Sequence, residues 1–412
     1  MLAAAWKRVK ENRGGCGVDG VTIDEVSADP KVEAAWLSAL QKELQTKKYR
    51  PAPVLRVKIP KANGGERLLG VPTLKDRVAQ MAVYLILSAI FEADFHPRSY
   101  AYRKRKSAQD AVEAVREGLY TGRTDVVDAD LSKYFDRIPH QELMRLVARR
   151  VSDGTVLQLI KAWLRAPILE VKEDGARRLA VNEQGTPQGG VISPLLANIY
   201  LNPLDHQVNE KGGKKLRMIR YADDLVILCW PGKGAETKER LARWLKAKGL
   251  ALNEEKTQVI KSRESSFEFL GFTFRWQLST KRTNYVRTEP SAAARQALRD
   301  RVRELTQRRS TWRDQSEVVR EINQVTRGWS NYFALAHYQH SFKQANNYVA
   351  TRLCRWMWRK HGNNTREYKR WPDKTLFETY GLFKMPTCIP NWKPAPKNGT
   401  RKAGCGKTAR PV

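Results

Sequence analysis

Residues 216–230, LRMIRYADDLVILCW, constrain this chain more than any other stretch. Two runs of strand-forming residues, LRMIRY and LVILCW, flank Ala222-Asp223-Asp224. Asp is disfavoured inside strands and favoured in turns. The pattern therefore predicts a tight antiparallel hairpin with two carboxylates at its tip. Apolar flanks seated in a sheet would hold that tip firmly. Two neighbouring anions repel each other, and a divalent cation would relieve the repulsion. Taken alone, the stretch supports two readings: an ordinary Asp-rich turn, or half of a metal site, because short motifs also match by chance.

More acids stand upstream. Asp125-Val126-Val127-Asp128-Ala129-Asp130-Leu131-Ser132-Lys133-Tyr134-Phe135-Asp136 reads as a buried strand with acids crowding its exit, then a helix after His140. Acids at the end of a strand suit catalysis, but Asp is also common in capped strand-to-helix loops. Residues 184–208, QGTPQGGVISPLLANIYLNPLDHQV, read as a Gly-rich loop and a helix, with Ser193 as N-cap and Pro194 at its first position. Pro203 should kink or end that helix. Earlier, VLRVKI at 54–59, the turn PKANGG and ERLLGVP at 66–72 predict a hairpin carrying Lys61 and Arg67 near its tip. Such cations suit phosphate contacts, or are simply solvated. Thr73-Leu74-Lys75-Asp76 resembles a capping box with Asp in place of Glu, and begins an apolar helix to about Phe91. FEFLGFTF at 267–274 predicts a strand pair.

Charge narrows the partners. The chain of 412 residues carries a net +32, which repels itself unless a polyanion is present, so nucleic acid leads. Residues 291–412 hold 25 Lys and Arg against 8 Asp and Glu, and six of the twelve Trp. SAAARQALRDRVRELTQRR at 291–309 predicts a long basic helix, and further helices carry RGWSNYF and RLCRWMWRK. Arg interleaved with aromatics suits stacking on unpaired RNA bases, while about half of these Trp are expected in helix packing. Five widely spaced cysteines without a C-x-x-C pair argue against a zinc ribbon or a disulfide framework. The longest apolar run, AVYLILSAIF, is too short to span a bilayer. A cytoplasmic location, in the cytosol or nucleoid, is expected.

Together these segments resemble the reverse transcriptases encoded by bacterial group II introns. RYADDLVIL resembles the family's central hairpin, VVDADLSKYFD its first catalytic block and QGTPQGGVISPLLANIYL its Gly-rich block. IPKANGGERLLGVPTLKDRVAQ resembles the fingers hairpin, FEFLGFTF the primer-side block and RGWSNYF the maturase region. Six blocks in the right order make the resemblance strong, and SPLLANIYL favours group II introns over retrons or diversity-generating elements.

The resemblance implies an α+β right-hand polymerase: fingers and palm over 1–285, the palm an antiparallel sheet with helices, then a helical thumb or maturase domain over 286–380. A basic Pro/Gly/Lys-rich tail, 381–412, would follow. It also separates the upstream acids, because the family places an aromatic five residues after its metal-binding Asp. Asp130 with Phe135 fits; Asp128 would put Lys133 there. The implied triad is Asp130, Asp223 and Asp224, with Asp224 the less direct ligand and the Leu131 carbonyl an extra one, holding two Mg²⁺ ions. Lys61 and Arg67 would grip the incoming triphosphate, Phe135 would exclude a ribose 2′-hydroxyl, Gln188 would lie beside the nucleotide, and Lys256 would protonate pyrophosphate. Implied partners are intron and template RNA, a DNA primer or target and dNTPs, in a ribonucleoprotein with intron RNA and without a membrane. Two departures bear on this. The family usually has more residues before the basic loop at 13–20, and an endonuclease module with Cys and His is not seen, so another primer source is expected. Competing readings are an RNA-binding splicing factor with an idle polymerase site, and a reverse transcriptase recruited away from its intron for defence or repair.

Overall fold

Among the described residues, strands form three sheets, two four-stranded and one three-stranded. The structure, a computed structural model, describes residues 1–60, 66–171, 176–212, 215–280, 282–335, 337–361 and 373–387. The chain divides into two compact units, Met1–Ile260 and Lys261–Val412.

The first unit opens with helices α1 (Leu2–Asn12), α2 (Ile23–Ser27) and α3 (Pro30–Gln45), with a break at the basic loop, 13–20. Strands β1 (Val54–Pro60) and β2 (Glu66–Val71) pair antiparallel, with Ile59 opposite Arg67. Helix α4 (Leu74–Glu92) is buried on most faces, as its apolar composition predicts. Its capping box is only half made. The Thr73 hydroxyl accepts from the Asp76 amide at 3.2 Å, and the Asp76 carboxylate accepts from the Thr73 hydroxyl at 2.8 Å rather than from the Thr73 amide. That carboxylate also accepts from the Tyr49 hydroxyl at 2.5 Å and the Ala52 amide at 3.1 Å, tying α4 to the segment that enters β1.

Helix α5 (Ala108–Tyr120) leads to β3 (Asp125–Asp130), the short α6 (Tyr134–Arg137), α7 (His140–Ala148) and α8 (Gly154–Leu164). Strands β4 (Ile168–Val171) and β5 (Arg177–Ala180) complete the sheet ordered β2-β1-β4-β5. Helix α9 (Ser193–His206) starts one residue earlier than expected: Ile192 is the N-cap, and the Ser193 hydroxyl donates to the Pro187 carbonyl at 2.9 Å. Nor does Pro203 end it. The α-helix continues through His206 and then loosens into a π-helical stretch, Gln207–Lys211. Tethers on this last turn, His206 Nε2 and Asn202 Nδ2 to the Asp94 carbonyl, hold it in place.

The second four-stranded sheet, ordered β6-β7-β3-β8, comprises β6 (Leu216–Tyr221), β7 (Asp224–Cys229), β3 and β8 (Gln258–Lys261), with α10 (Gly234–Ala247) between β7 and β8. Val127, Ala129, Leu225 and Ile227 from this sheet share one core with Leu74, Val78 and Leu87 of α4 and Leu196, Ile199 and Leu201 of α9. Full burial of each such side chain contributes roughly 1.5–3 kcal/mol, so the site-bearing strands sit on the firmest part of the unit.

In the second unit, β9 (Phe267–Phe269), β10 (Phe272–Leu278) and β11 (Asn284–Pro290) form the three-stranded sheet. The β9–β10 turn takes two residues, Leu270 and Gly271, both with positive φ (51° and 76°), which matches the right-handed twist of a hairpin. Helices α11 (Ala292–Leu305), α12 (Gln315–Phe333) and α13 (Gln339–His361) enclose a separate core around Leu298, Val302, Ile322, Leu353, Trp356 and Met357. The basic helix expected to reach Arg309 stops at Leu305, where the Thr306 hydroxyl turns back to the Val302 carbonyl at 2.7 Å. Among these Trp, Trp356 is core, Trp329 and Trp358 pack against it, and Trp312 is exposed. Residues 388–412, most of the expected tail, lie outside the described residues. Among the described residues no helix is long and apolar enough to cross a membrane.

Candidate active site

The hairpin forms as its sequence predicts. β6 and β7 pair antiparallel with Tyr221 opposite Asp224, leaving a two-residue turn, Ala222-Asp223. Ala222 takes a left-handed conformation at φ 59°. β7 pairs on its other side with β3, in a register that sets Asp130 opposite Asp224 and Asp128 opposite Val226. Residues 93 positions apart in the chain, Asp130 and Asp223, thus reach the same end of one sheet.

The crowding has an electrostatic signature. Asp224 is exposed by area, yet protein surrounds its carboxyl on several sides. That desolvation, then the charges of Asp223, Asp130 and Asp128, pushes it up to about 7. Burial and the neighbouring Asp130 push Asp128 up to about 6. Asp130 is steadied from the segment before β8. The Asn253 side chain donates to Asp130 Oδ2 at 3.0 Å, the Asn253 amide donates to the Asp130 carbonyl at 2.8 Å, and Lys256 Nζ stands 3.6 Å from Oδ2. Lys256 is two-thirds exposed and able to reach a ligand as well as Asp130.

Beneath the turn lies a buried polar network that sequence reading missed. Arg220 is 1% exposed. Its Nε donates to both Asp205 oxygens at 2.8 and 3.1 Å, and one terminal nitrogen donates to Asp205 at 2.5 Å and to the Ser99 hydroxyl at 2.8 Å. The other terminal nitrogen donates to Asn198 Oδ1 at 2.9 Å and to the Ala222 carbonyl at 3.0 Å. Burial pulls the guanidinium pKa down, but Asp205 more than offsets this and holds it above its ordinary range. The last of these bonds matters for the site: it grips the left-handed residue that precedes Asp223. A cation inside an apolar strand, LRMIRY, and an acid inside α9 were the available signals.

The Gly-rich loop ties two parts of the unit together. The Gly185 amide donates to the Ile138 carbonyl at 2.8 Å and the Thr186 amide to the Phe135 carbonyl at 2.7 Å. On the other side, the Gly70 amide in β2 donates to the Gln188 carbonyl at 2.5 Å. Gly189 has φ 113°, and a Cβ there would lie 2.5 Å from the Gly70 carbonyl oxygen, so only glycine fits. Gln188 also reaches Asp136 at 3.5 Å. Phe135 is half-buried, set edge-on to Tyr134, whose hydroxyl donates to the Ala197 carbonyl at 2.6 Å. Lys61 lies outside the described residues, and of Arg67 the structure describes the backbone, paired with Ile59.

The donor set suits a hard divalent cation: neighbouring carboxylate oxygens, that of Asp224 raised in proton affinity by burial and by the other acids, whose mutual repulsion bound charge would relieve. Among the described residues no three acidic, His or Cys side chains already converge as a metal cage. Asp130, Asp223 and Asp224 would have to be completed by other oxygens, such as those of a substrate, to hold such an ion.

Comparison with known proteins agrees with this chemistry. Residues 59–274 match the family described as reverse transcriptase (RNA-dependent DNA polymerase). Residues 295–375 match the group II intron maturase-specific domain. Protein YkfC of Escherichia coli (strain K12) is 35% identical over 325 residues, covering 68% of this chain and 81% of YkfC. The group II intron-encoded protein LtrA of Lactococcus lactis subsp. cremoris is 27% identical over 435 residues, covering 84% and 70%. The putative COX1/OXI3 intron 1 protein of Saccharomyces cerevisiae is 28% identical, but the chain spans only 38% of its length. Among solved structures, apo telomerase from Candida tropicalis aligns with a TM-score of 0.47 at 13% identity, covering 78% of this chain and 68% of that one. The chain belongs to the reverse transcriptase family, joined to the maturase-specific domain of group II intron proteins. It is an RNA-directed DNA polymerase with a splicing-related second unit, and the reading of a splicing factor with an idle polymerase site is not favoured.

Proposed function

We propose that the protein extends a DNA primer 3′-hydroxyl with dNTPs on an RNA template, and binds its own group II intron RNA to assist splicing and mobility. The observation that carries the polymerase reading is the register of β3 against β7, which brings Asp130 beside Asp224 and the Asp223 turn. Bound at these oxygens, a pair of Mg²⁺ ions supplies the charge that activates the primer hydroxyl and stabilises the leaving pyrophosphate. Asp130 and Asp223 are the main ligands and Asp224 the less direct one. Asn253 fixes the Asp130 carboxylate. Arg220 holds the Ala222 carbonyl and with it the aim of Asp223. Lys256 stands where it can pass a proton to departing pyrophosphate. Phe135 closes the space that a ribose 2′-hydroxyl would occupy, Gln188 lies beside the nucleotide, and Lys61 and Arg67 grip the triphosphate.

In domain terms, residues 1–285 act as fingers and palm, 286–380 as thumb and maturase, and 381–412 as a basic tail. The compact units part earlier, at Ile260, because β9, β10 and β11 form a sheet of their own. A bacterial cytosolic ribonucleoprotein is the setting this reading requires. Recruitment away from the intron is the less favoured reading; finding a folded intron RNA encoded around the reading frame would argue against it. Primer extension on an RNA template with Mg²⁺ and dNTPs tests the proposal. The wild type should extend, Asp223→Ala should not, and both should bind RNA alike. Equal extension by both removes the site assignment.

A further inference from the structure

The break that ends α11 at Leu305 creates a loop, residues 306–314, TQRRSTWRD, that is fixed from behind at every turn. Three residues of α13, spaced four apart, pin it in sequence. Arg352 donates to the Thr306 hydroxyl at 3.2 Å and to the Thr306 carbonyl at 3.1 Å. Trp356, fully buried, donates to the Ser310 hydroxyl at 3.0 Å. Lys360 Nζ donates to the carbonyls of Thr311 at 3.0 Å and Arg313 at 2.8 Å. A spacing of four keeps these side chains on one helical face. At its end, the loop is closed by Asp314, which caps α12, and by Arg313, paired with Glu321 at 2.6 Å.

What this rigid loop holds outward is an indole. Trp312 is 81% exposed, more than any other large apolar residue among the described ones. Arg308 and Arg309 are exposed beside it in sequence. The end of α13 adds more positive charge: Arg352 is held below its ordinary range, first by burial, then by the like charges of Arg359, Arg303 and Arg355 (Tyr348 opposes them). An exposed Trp on a pre-ordered backbone loses little freedom when a flat partner stacks on it. The two exposed cations that precede it, Arg308 and Arg309, suit a phosphate-linked partner.

We propose that the 306–314 loop is a stacking platform for an unpaired RNA nucleotide: Trp312 covers the base, and Arg308 and Arg309 contact the flanking phosphates. This deepens the reading of the second unit as RNA-binding and is independent of the carboxylate site. It names single-stranded segments, not duplex, as what the platform takes, since only an unpaired base offers an open face.

The test uses the full-length protein, a labelled single-stranded RNA, the same sequence as a blunt RNA duplex, and as single-stranded DNA. Trp312→Ala should weaken single-stranded RNA binding by about tenfold, the usual loss for one stacked base. Duplex binding should stay about unchanged, and Trp312→Phe should keep most of the affinity. The salt dependence should keep its slope in Trp312→Ala, and lose about 0.7 for each of Arg308→Ala and Arg309→Ala. Equal affinity of Trp312→Ala and wild type for single strands, or equal loss on duplex, overturns the proposal. So does a change of oligomeric state by light scattering, which would make the loop a contact between copies. Selective loss on single-stranded DNA alone would also overturn the choice of RNA. Primer extension by Asp223→Ala is read in parallel: its behaviour decides the polymerase site and leaves the platform standing or falling on binding alone.

Discussion

Two clusters of charge sit back to back at the end of the β6-β7-β3-β8 sheet, and they are built on opposite terms. Around Arg220 every charge is answered: Asp205, Asn198, Ser99 and the Ala222 carbonyl accept its donors in a fully buried setting. Around Asp224, acid faces acid, and Asp224 and Asp128 are driven up to about 7 and 6. The balanced cluster holds geometry, and the unbalanced one is the proposed seat of reactivity. Ala222 joins them through the backbone: its carbonyl belongs to the first, and its neighbour Asp223 belongs to the second.

The sharpest break in this comparison is on the acid side. Asp223→Asn keeps the shape but removes the charge. Polymerisation should fall about 10³-fold or more, the effect of losing metal-borne charge stabilisation, with RNA affinity unchanged in a filter-binding assay. On the balanced side, Arg220→Met strands Asp205 in the interior and should cost about 3–5 kcal/mol in a denaturant titration. The double variant Arg220→Met with Asp205→Leu should regain most of that stability, since a buried pair can be replaced by apolar packing. It should still extend primers more slowly than wild type, because the grip on Ala222 is gone. Full activity in the double variant would show that the network is only structural. Smaller again, Lys256→Ala should lower the single-turnover rate by about 10²-fold while leaving single-stranded RNA affinity in place.

The gentlest probe is pH. Asp128 and Asp224 have folded values raised above 3.8, so the folded protein binds their protons more tightly than the unfolded chain. Their contribution favours folding below about 4 and is lost as pH rises through 6 to 7. The melting temperature of metal-free protein should therefore fall between about pH 5 and pH 8. Asp128→Asn should flatten part of that fall, and added Mg²⁺ should restore stability at the upper end. A flat profile in wild type would mean that the acids do not crowd one another.

The contrast also explains what could be read from the chain alone. The acid side was legible because it is local: two Asp between apolar runs predict a turn, and an apolar run before Asp130 predicts a strand. The pairing of Asp130 with Asp224 was legible only through resemblance to a family, since no spacing rule links residues 94 apart. The balanced side left only two faint signals, a cation in an apolar strand and an acid in α9, because Arg220, Asp205, Asn198 and Ser99 have meaning only once the fold brings them together. Asn253 was hidden for the same reason. Local rules failed in the other direction at Pro203 and Thr306. Tethers to Asp94 carried α9 past its proline, and a threonine that can bond its own helix ended α11 inside a run of good helix formers.

The tie made by the Gly-rich loop has a mechanical consequence. Gly70 and Gln188 are joined backbone to backbone, Gly189 leaves no room for slack, and Thr186 is fastened to Phe135. A link that stiff behaves as a rod under tension rather than a hinge. Any pull on the β1–β2 hairpin is delivered to the backbone of Phe135 and of Gln188 in the same stroke, so these two residues report the position of that hairpin even though neither belongs to it.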